Sequence, residues 1–572
     1  MLDLKSRVEP WLHAPFDEET RRQVQHLIDT DPKGLSDAFF KDLSFGTGGM
    51  RGVMGVGTNR LNLYTIRSAT QGLANYLKKQ PPKPEGFSVF IGYDVRHHSK
   101  EFAENAARVL AANEIKAFIT QEICPTPLVS YGCRHFGCDA AIMITASHNP
   151  PIYNGYKVYW NDGGQVIAPH DTGIMDEVKR QSSYDVSLAS LDSKLVQWVG
   201  RELDTAYLEE LKELQLYPVK QSIQILYTPL HGTGIRIIPE ALKSWGYQDV
   251  HLVPEQKKPD GNFSHAPSPN PEEEKALALG TEQLVREKKD LLIATDPDAD
   301  RMGVVVMDRG KPVRLSGHQI ACLCLQHICQ AMTEKGVWPS NAACIKTIVT
   351  TELFRKIGEK FGAKCVDVLT GFKYIGEQMT LWEKSFDACQ YIFGAEESYG
   401  YLPGTMVRDK DAISAACLIS EVVMHAKEQN RSLVDKLYEL YQEYGVHRES
   451  LSQIAFSDSA EGMKQMQNLM KQLREKPPQS IGGKLVVIVE DYLTSTHTDP
   501  FGTIPLHLPR SDVLRFWLVD HTKLVIRPSG TEPKVKIYAE ALAPAGKDLA
   551  ESVASTDARL ARMVEAFSRL CS

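Results

Sequence analysis

The order strand, helix, strand returns three times in this 572-residue chain, and it limits the possible folds more than any other feature. Val89-Phe90-Ile91-Gly92-Tyr93-Asp94 reads as a strand, residues 101–113 as an amphipathic helix, and Lys116-Ala117-Phe118-Ile119 as a second strand. The same order comes back at 223–227, 239–245 and 250–253, then at 345–349, 352–361 and 364–368. A strand that crosses over through a helix lands parallel to its predecessor, so three α/β domains with mixed, largely parallel sheets are expected. The end of the chain has a different rhythm. Apolar runs at 484–490, 513–519, 524–526 and 535–539 precede one long helical segment at 547–570, the pattern of an α+β domain with an antiparallel sheet. The expected domains are 1–205 with a helical N-terminal extension, 206–312, 313–450 and 451–572. Residues 1–40 read as helix broken at Pro32-Lys33-Gly34, and residues 450–480 as a connector holding a helix with Met463, Met466 and Met470.

Composition excludes several classes. The net charge of -7 argues against a nucleic-acid binder, which carries a basic excess. No apolar run approaches membrane-spanning length, and Met1-Leu2-Asp3-Leu4-Lys5-Ser6-Arg7 lacks the basic-then-apolar order of a signal peptide, so a cytoplasmic protein is expected. The 11 cysteines are scattered. Cys322, Cys324 and Cys329, with His327, fall on a segment that reads as a buried helix. Their spacing is not that of a zinc finger, so they read as core thiols.

The chemistry concentrates in loops. Ala140-Ala141-Ile142-Met143-Ile144 is an apolar strand that runs into Thr145-Ala146-Ser147-His148-Asn149-Pro150. Ser147 is expected exposed on a tight loop at a strand end, with Lys157 following. By itself this hexapeptide fits anionic chemistry or a capped turn equally well. Phe45-Gly46-Thr47-Gly48-Gly49-Met50-Arg51-Gly52 is a glycine-rich loop that lets backbone N–H groups and the Arg51 guanidinium approach an anion. The strand at 291–295 ends in Asp296-Pro297-Asp298-Ala299-Asp300-Arg301. Three carboxylates at alternate positions repel one another unless a cation lies among them. An EF-hand would need Gly at the sixth position and Glu at the twelfth; Arg301 and Met307 stand there, so a Mg²⁺ loop is the better reading. Two further polar segments are Thr370-Gly371-Phe372-Lys373 and Gly394-Ala395-Glu396-Glu397-Ser398. Arg527-Pro528-Ser529-Gly530-Thr531 near the end has the donors of a phosphate cradle.

These loops together resemble the α-D-phosphohexomutase superfamily, in family order, from about residue 40 to about residue 540. The matching segments are FGTGGMRG, TASHNP with YNGYKV, DPDADR, TGFK, AEES with RDKD, and RPSGTEPK. The wording looks most like the bacterial phosphoglucomutase branch of that family. The one departure in the sugar loop is Ala395 where the family has Gly. The resemblance implies four domains around a central cleft. It makes Ser147 the phosphate carrier and Asp296, Asp298 and Asp300 the Mg²⁺ ligands, with a phosphate oxygen on Ser147 as the fourth. It further implies that Arg51 and Arg301 face the transferred phosphoryl group and that Lys157 or His148 is the general base. Thr370, Gly371, Lys373, Glu396 and Ser398 would hold the sugar, and Arg527, Ser529, Gly530 and Thr531 its other phosphate. The implied reaction interconverts glucose 1-phosphate and glucose 6-phosphate, with glucose 1,6-bisphosphate as intermediate and activator and a phosphosugar as the partner molecule. Phosphopentomutase and phosphomannomutase activities are the alternatives within the class. A serine hydrolase lacks its GxSxG elbow here and leaves the Asp triplet unexplained. A non-catalytic sugar-phosphate sensor would not need every catalytic position filled.

Overall fold

The computed structural model describes residues 4–43, 49–181, 184–386, 388–457, 459–530 and 533–571. The chain divides into two compact bodies. One comprises Met1–Leu315, Gly371–Ala388 and Ser398–Met424; the other comprises Ser316–Thr370, Cys389–Glu397 and His425–Ser572.

The first body holds two sheets that share one design. In the six-stranded sheet the order is Met50–Val53, Tyr153–Trp160, Ala140–Ile144, Ser88–Tyr93, Lys116–Thr120, Val196–Val199. Ala140–Ile144 pairs parallel with Ser88–Tyr93 and antiparallel with Tyr153–Trp160. In the five-stranded sheet Leu291–Thr295 pairs parallel with Ile225–Thr228 and antiparallel with Met302–Asp308. Each strand that leads into a chemical loop therefore ends where the sheet changes direction, and such a switch leaves a crevice at the strand's carboxyl end. Both strands are buried at every position, as strands covered on two faces must be. The helices Leu63–Leu77 and Ser99–Ala112 bury Leu73 and Phe102 in one core with Ile142. Asn62 starts the first of them with a reciprocal capping box to Thr65.

The N-terminal extension differs from a single broken helix. Asp31 accepts from the Gly34 N–H, and Pro32 begins the helix Pro32–Phe39 directly after Glu18–Thr30. Proline at the first helical position has no N–H to lose, so it opens a helix as readily as it interrupts one.

In the second body Ala342–Thr347 lies between two parallel neighbours, Lys364–Val368 and Gln390–Glu396. The C-terminal sheet is antiparallel, in the order Val446–Ala455, Lys534–Ala543, Lys523–Pro528, Leu514–Leu518, Lys484–Asp491, Thr496–Asp499, Gly502–Pro505. The polar segment read as a connector is in part its first strand, which pairs residue for residue with Lys534–Ala543. Met466 and Met470, on the helix Ala460–Glu475, pack on this sheet beside Met563 and Phe567 of the helix Leu549–Leu570. Cys322, Cys324, Cys329 and His327 are buried on the helix Gly317–Glu334.

The central strands of the C-terminal sheet have two buried faces of opposite character. Phe516, Leu524 and Ala541 enter the apolar core, while Arg515, Lys523 and Glu540 alternate with them and are also buried. The charged face meets ionic partners from the 342–368 segment. Lys523 Nζ lies 2.9 Å from Glu352 and 2.8 Å from Glu540. Lys346, fully buried, lies 2.9 Å from Glu352 and 3.1 Å from Asp367, and Arg515 reaches Asp367 at 3.2 Å. Burial alone would push the Glu352 carboxyl up, but the ammonium groups of Lys346 and Lys523 outweigh it and hold its pKa far below the ordinary carboxylate range. Glu540 and Asp367 are lowered for the same kind of reason, by Lys523 and by Lys346 respectively. Carboxyls with a depressed folded pKa contribute fully above their unfolded value, about 4.3 for Glu, and lose the contribution as pH falls toward the folded value. The calorimetric transition of this body is therefore expected to weaken as pH drops below about 4. Lys346→Met should cost about 3 kcal/mol by leaving buried carboxylates under-compensated, read as a lower Tm at neutral pH.

Candidate active site

The loop after Ala140–Ile144 does not expose its serine. Ser147 is 1% accessible and sits in the left-handed backbone region at φ = 51°. A non-glycine residue holds that conformation only where its surroundings impose it. Arg96 is the constraint. Its guanidinium donates to the carbonyl oxygens of Ser147 (2.6 Å), Asn149 (2.5 Å), Pro150 (2.9 Å) and Tyr153 (2.9 Å), and so fixes the path of the whole loop. Asp94 lies 3.2 Å from Arg96 Nε, and Phe263 stacks under the guanidinium at 4.9 Å. Inside the loop, Thr145 Oγ1 accepts from the Ser147 N–H at 2.8 Å. Gly155 lets the return strand pass close by, since a Cβ there would stand 2.3 Å from the Thr145 carbonyl oxygen.

This path turns the Ser147 hydroxyl onto the aspartate loop. Ser147 Oγ donates to Asp296 Oδ2 at 2.6 Å and lies 3.2 Å from His148 Nδ1. Asp296 organises its own loop: its Oδ1 accepts from the N–H groups of Asp300 (3.1 Å) and Arg301 (3.0 Å), a turn that Ala299 permits at φ = 51°. Asp296, Asp298 and Asp300 are all buried, and each offers an oxygen within 4.8 Å of the others. Lys157 Nζ bridges Asp298 (2.8 Å) and Asp300 (3.1 Å), and Lys410 Nζ reaches Asp300 at 3.2 Å.

The electrostatics follow from burial and crowding. Burial, with Asp298 and Asp300 adding to it, pushes the Asp296 carboxyl well above its usual range. Asp298 is driven low: burial opposes its charge, but Lys157 and the donated hydrogen bonds outweigh that. Burial opposes the Lys157 ammonium too, yet Asp298 and Asp300 raise its pKa above the ordinary value. His148 is pushed well below the usual histidine range, by burial first and then by Arg301 and Arg51.

The donor set fits a hard divalent cation. All its atoms are carboxylate or hydroxyl oxygens, and Asp298 Oδ1 and Asp300 Oδ1 are buried without a hydrogen-bond partner. Buried acceptors in that condition are costly unless something with positive charge meets them.

Arg51 donates to Asn149 Oδ1 at 3.1 Å, and Arg301 pairs with Glu272 at 2.5 Å, beside the same loops. Gly371, at φ = 115°, precedes the helix Lys373–Glu383, and Ser398 belongs to the same body. In the second body, Glu396 ends the strand Gln390–Glu396 and is buried, as is Thr370. Its neighbour Glu397 accepts from Thr347 Oγ1 at 3.0 Å. Arg527 and Ser529 are half-buried at the end of Lys523–Pro528, Gly530 is exposed, and the Ser529 N–H donates to the Lys534 carbonyl. Thr531 and residues 44–48 of the glycine-rich loop lie outside the described residues.

Sequence reasoning missed three supports. Arg96 carried a signal, an Asp-x-Arg directly after a buried strand. Thr126 begins the helix Thr126–His135; its hydroxyl donates to Asp298 Oδ2 and its N–H to the Asp298 carbonyl, both at 2.8 Å. The Thr233 N–H and hydroxyl donate to the Pro297 carbonyl, and Gly232 packs so close that a Cβ would stand 2.4 Å from Pro297 Cα.

With this geometry in hand, the chain can be set beside known proteins. Models of the phosphoglucomutase/phosphomannomutase α/β/α domains I, II and III match residues 42–185, 205–310 and 316–444, and the C-terminal domain model matches 497–556. Phosphoglucomutase of Staphylococcus aureus (strain N315) is 35% identical over 554 residues, 95% of this chain and 97% of that one. The crystal structure of a phosphoglucomutase/phosphomannomutase family protein from Burkholderia thailandensis shares the fold at TM-score 0.67 and 18% identity, over 92% of this chain and 96% of that one. The Aspergillus fumigatus N-acetylphosphoglucosamine mutase, solved with GlcNAc-6P and magnesium, aligns at TM-score 0.50 and 13% identity over 96% and 99%. The chain belongs to the phosphoglucomutase/phosphomannomutase family. Among the described residues no helix is long and apolar enough to cross a membrane.

Thr126→Val should weaken divalent-cation binding about tenfold to a hundredfold, because it removes the donor that orients Asp298. Calorimetric titration with Mn²⁺ reads this directly. Thr126→Ser should keep wild-type affinity.

Proposed function

We propose that this chain is a cytoplasmic phosphohexomutase that interconverts glucose 1-phosphate and glucose 6-phosphate through a phosphorylated Ser147. The observation that carries the reading is the 2.6 Å contact of Ser147 Oγ with Asp296 in a loop whose path Arg96 dictates. A free serine hydroxyl is a weak nucleophile, whereas a phosphoserine is a stored phosphoryl group. Asp296, Asp298 and Asp300, with a phosphate oxygen on Ser147, would hold one Mg²⁺. Bound there, the ion would neutralise charge on the transferring group.

The remaining work falls to side chains. Arg51 and Arg301 offset charge on the equatorial oxygens, for which Arg301 exchanges its bond to Glu272. The accepting sugar hydroxyl gives its proton to the neutral His148 imidazole, or to Lys157 once that residue has shed its own proton, and bonds to phosphorus. The Ser147 Oγ–P bond breaks, and Oγ recovers a proton. The product is glucose 1,6-bisphosphate; it turns over and returns its other phosphate to Ser147 by the reverse steps. Glu396, Ser398 and Lys373, with Thr370 and Gly371, orient the sugar. Arg527, Ser529, Gly530 and Thr531 hold the phosphate that does not react. Positioning of this kind is the main contribution a protein makes to phosphoryl transfer.

Intact mass and turnover test the reading together. The purified protein should be heavier than its unmodified mass by one phosphoryl group, and Ser147→Ala should not. With Mg²⁺ and a trace of glucose 1,6-bisphosphate, the parent should convert glucose 1-phosphate to glucose 6-phosphate. Ser147→Ala should be slower by at least about a thousandfold, about 4 kcal/mol in the barrier. Phosphate on the serine with mannose or pentose phosphate as the only substrate would move the sugar preference. No phosphate and no turnover in folded protein would sink the mutase reading. Arg96→Lys should bind sugar phosphate with little change in KM but lose about a hundredfold in kcat, because one ammonium cannot bridge four carbonyls and the serine drifts.

A further inference from the structure

Away from the serine and aspartate loops, the second body brings two thiols face to face. Cys344 and Cys365 are register partners on the neighbouring parallel strands Ala342–Thr347 and Lys364–Val368. Opposed residues on adjacent strands point to the same side, with backbones about 4.8 Å apart. That spacing lies within the Cα separation of about 4.4 to 6.8 Å that a disulfide spans. Two residues along, the next partners on the same face are Lys346 and Asp367, and their side chains do meet, at 3.1 Å. Among the described residues no other two cysteines are strand partners.

The surroundings favour reaction between the two sulfurs. Cys344 is buried and Cys365 is half-buried, so only the second is open to a small oxidant. Cys344, buried and closed in by the helix above it, is reached by the neighbouring sulfur rather than by solvent, which makes it the resolving partner. The helix Glu352–Lys360 passes over the pair at Gly358, where a Cβ would stand 2.7 Å from Cys344 Sγ; glycine leaves that sulfur its space. Arg355 on this helix donates to the Cys365 carbonyl at 2.9 Å and holds the strand in place.

We propose that Cys344 and Cys365 form a reversible disulfide when the protein meets a hydroperoxide. The Cys365 thiolate attacks one peroxide oxygen. The O–O bond breaks, Cys365 becomes a sulfenic acid, and with hydrogen peroxide the leaving oxygen departs as water after taking a proton. Cys344 then attacks the sulfenic sulfur, the S–O bond breaks, the S–S bond closes, and a second water leaves with the Cys344 proton. Two thiols have lost two electrons, and the peroxide has been reduced to two waters. The bond closes beside Asp367, the residue through which the strand Lys364–Val368 pairs with Arg515.

Peptide mapping tests this without relying on any variant. Full-length protein is treated with hydrogen peroxide, free thiols are blocked, and the chain is digested without reductant. The expected product is a peptide pair joined through Cys344 and Cys365, absent from untreated protein and released by dithiothreitol. Cys365→Ser should abolish the linked pair, and Cys329→Ser should leave it unchanged. Recovery of both cysteines singly blocked, or of Cys365 only as sulfinic or sulfonic acid, would overturn the proposal.

Discussion

Three carboxylates within 4.8 Å of one another, all out of contact with water, are the constraint to which the first body answers. Water would normally carry that charge; here the protein must. It does so from several directions. Two N–H groups of the loop's own backbone serve Asp296, Thr126 serves Asp298, and the ammonium groups of Lys157 and Lys410 converge on Asp298 and Asp300. Those donors come from the strand Tyr153–Trp160, from a helix start and from the segment after Pro403, so segments far apart in sequence must meet correctly before the loop is stable. Even then, Asp298 Oδ1 and Asp300 Oδ1 have no hydrogen-bond partner. Arg51 Nε, a donor beside the same loops, is buried without a partner as well. A site with both kinds of group left over suits a cation at the carboxylates and an anion at the guanidinium.

The serine loop obeys the opposite rule. Its difficulty is backbone shape, not charge, since Ser147 occupies a conformation its side chain disfavours. Arg96 answers with the two terminal nitrogens of a rigid fork, which suit four carbonyl oxygens as no ammonium could. One loop is therefore tuned by electrostatics and the other by a template, and they meet at the bond from Ser147 Oγ to Asp296. Both leave their sheets at a switch from parallel to antiparallel pairing.

How much of this was legible follows from how local each signal is. The strands at 140–144, 291–295 and 364–368 could be placed from their apolar runs, and the aspartate loop from the repulsion its spacing implies. Ser147 was placed on the right turn but with the wrong exposure, because burial depends on a loop 149 residues away. Arg96 and Thr126 were passed over for the same reason: nothing next to them in sequence shows the carbonyls and the carboxylate they hold. Residues 450–455 of the strand Val446–Ala455 read as connector because Ser450, Ser452 and Gln453 give them little apolar character. The strand's pairing energy comes from ten backbone positions against Lys534–Ala543, which side-chain patterning does not report.

The C-terminal sheet carries the point furthest. Alternation of Arg515, Lys523 and Glu540 with Phe516, Leu524 and Ala541 reads, by the ordinary rule, as one face in the core and one in water. In the central strands both faces are buried, the second against Glu352, Asp367 and Thr351. Alternation records only that the two faces differ in chemistry; it cannot say whether water or another set of charges meets the polar one. That distinction has energetic weight. An apolar contact has no preferred direction, whereas a buried ion pair is fully compensated only when its hydrogen bonds keep one geometry. A sheet seated on Lys346, Glu352 and Asp367 is thus held in one register with its neighbours, and the strand that ends in Arg527 and Ser529 inherits that register.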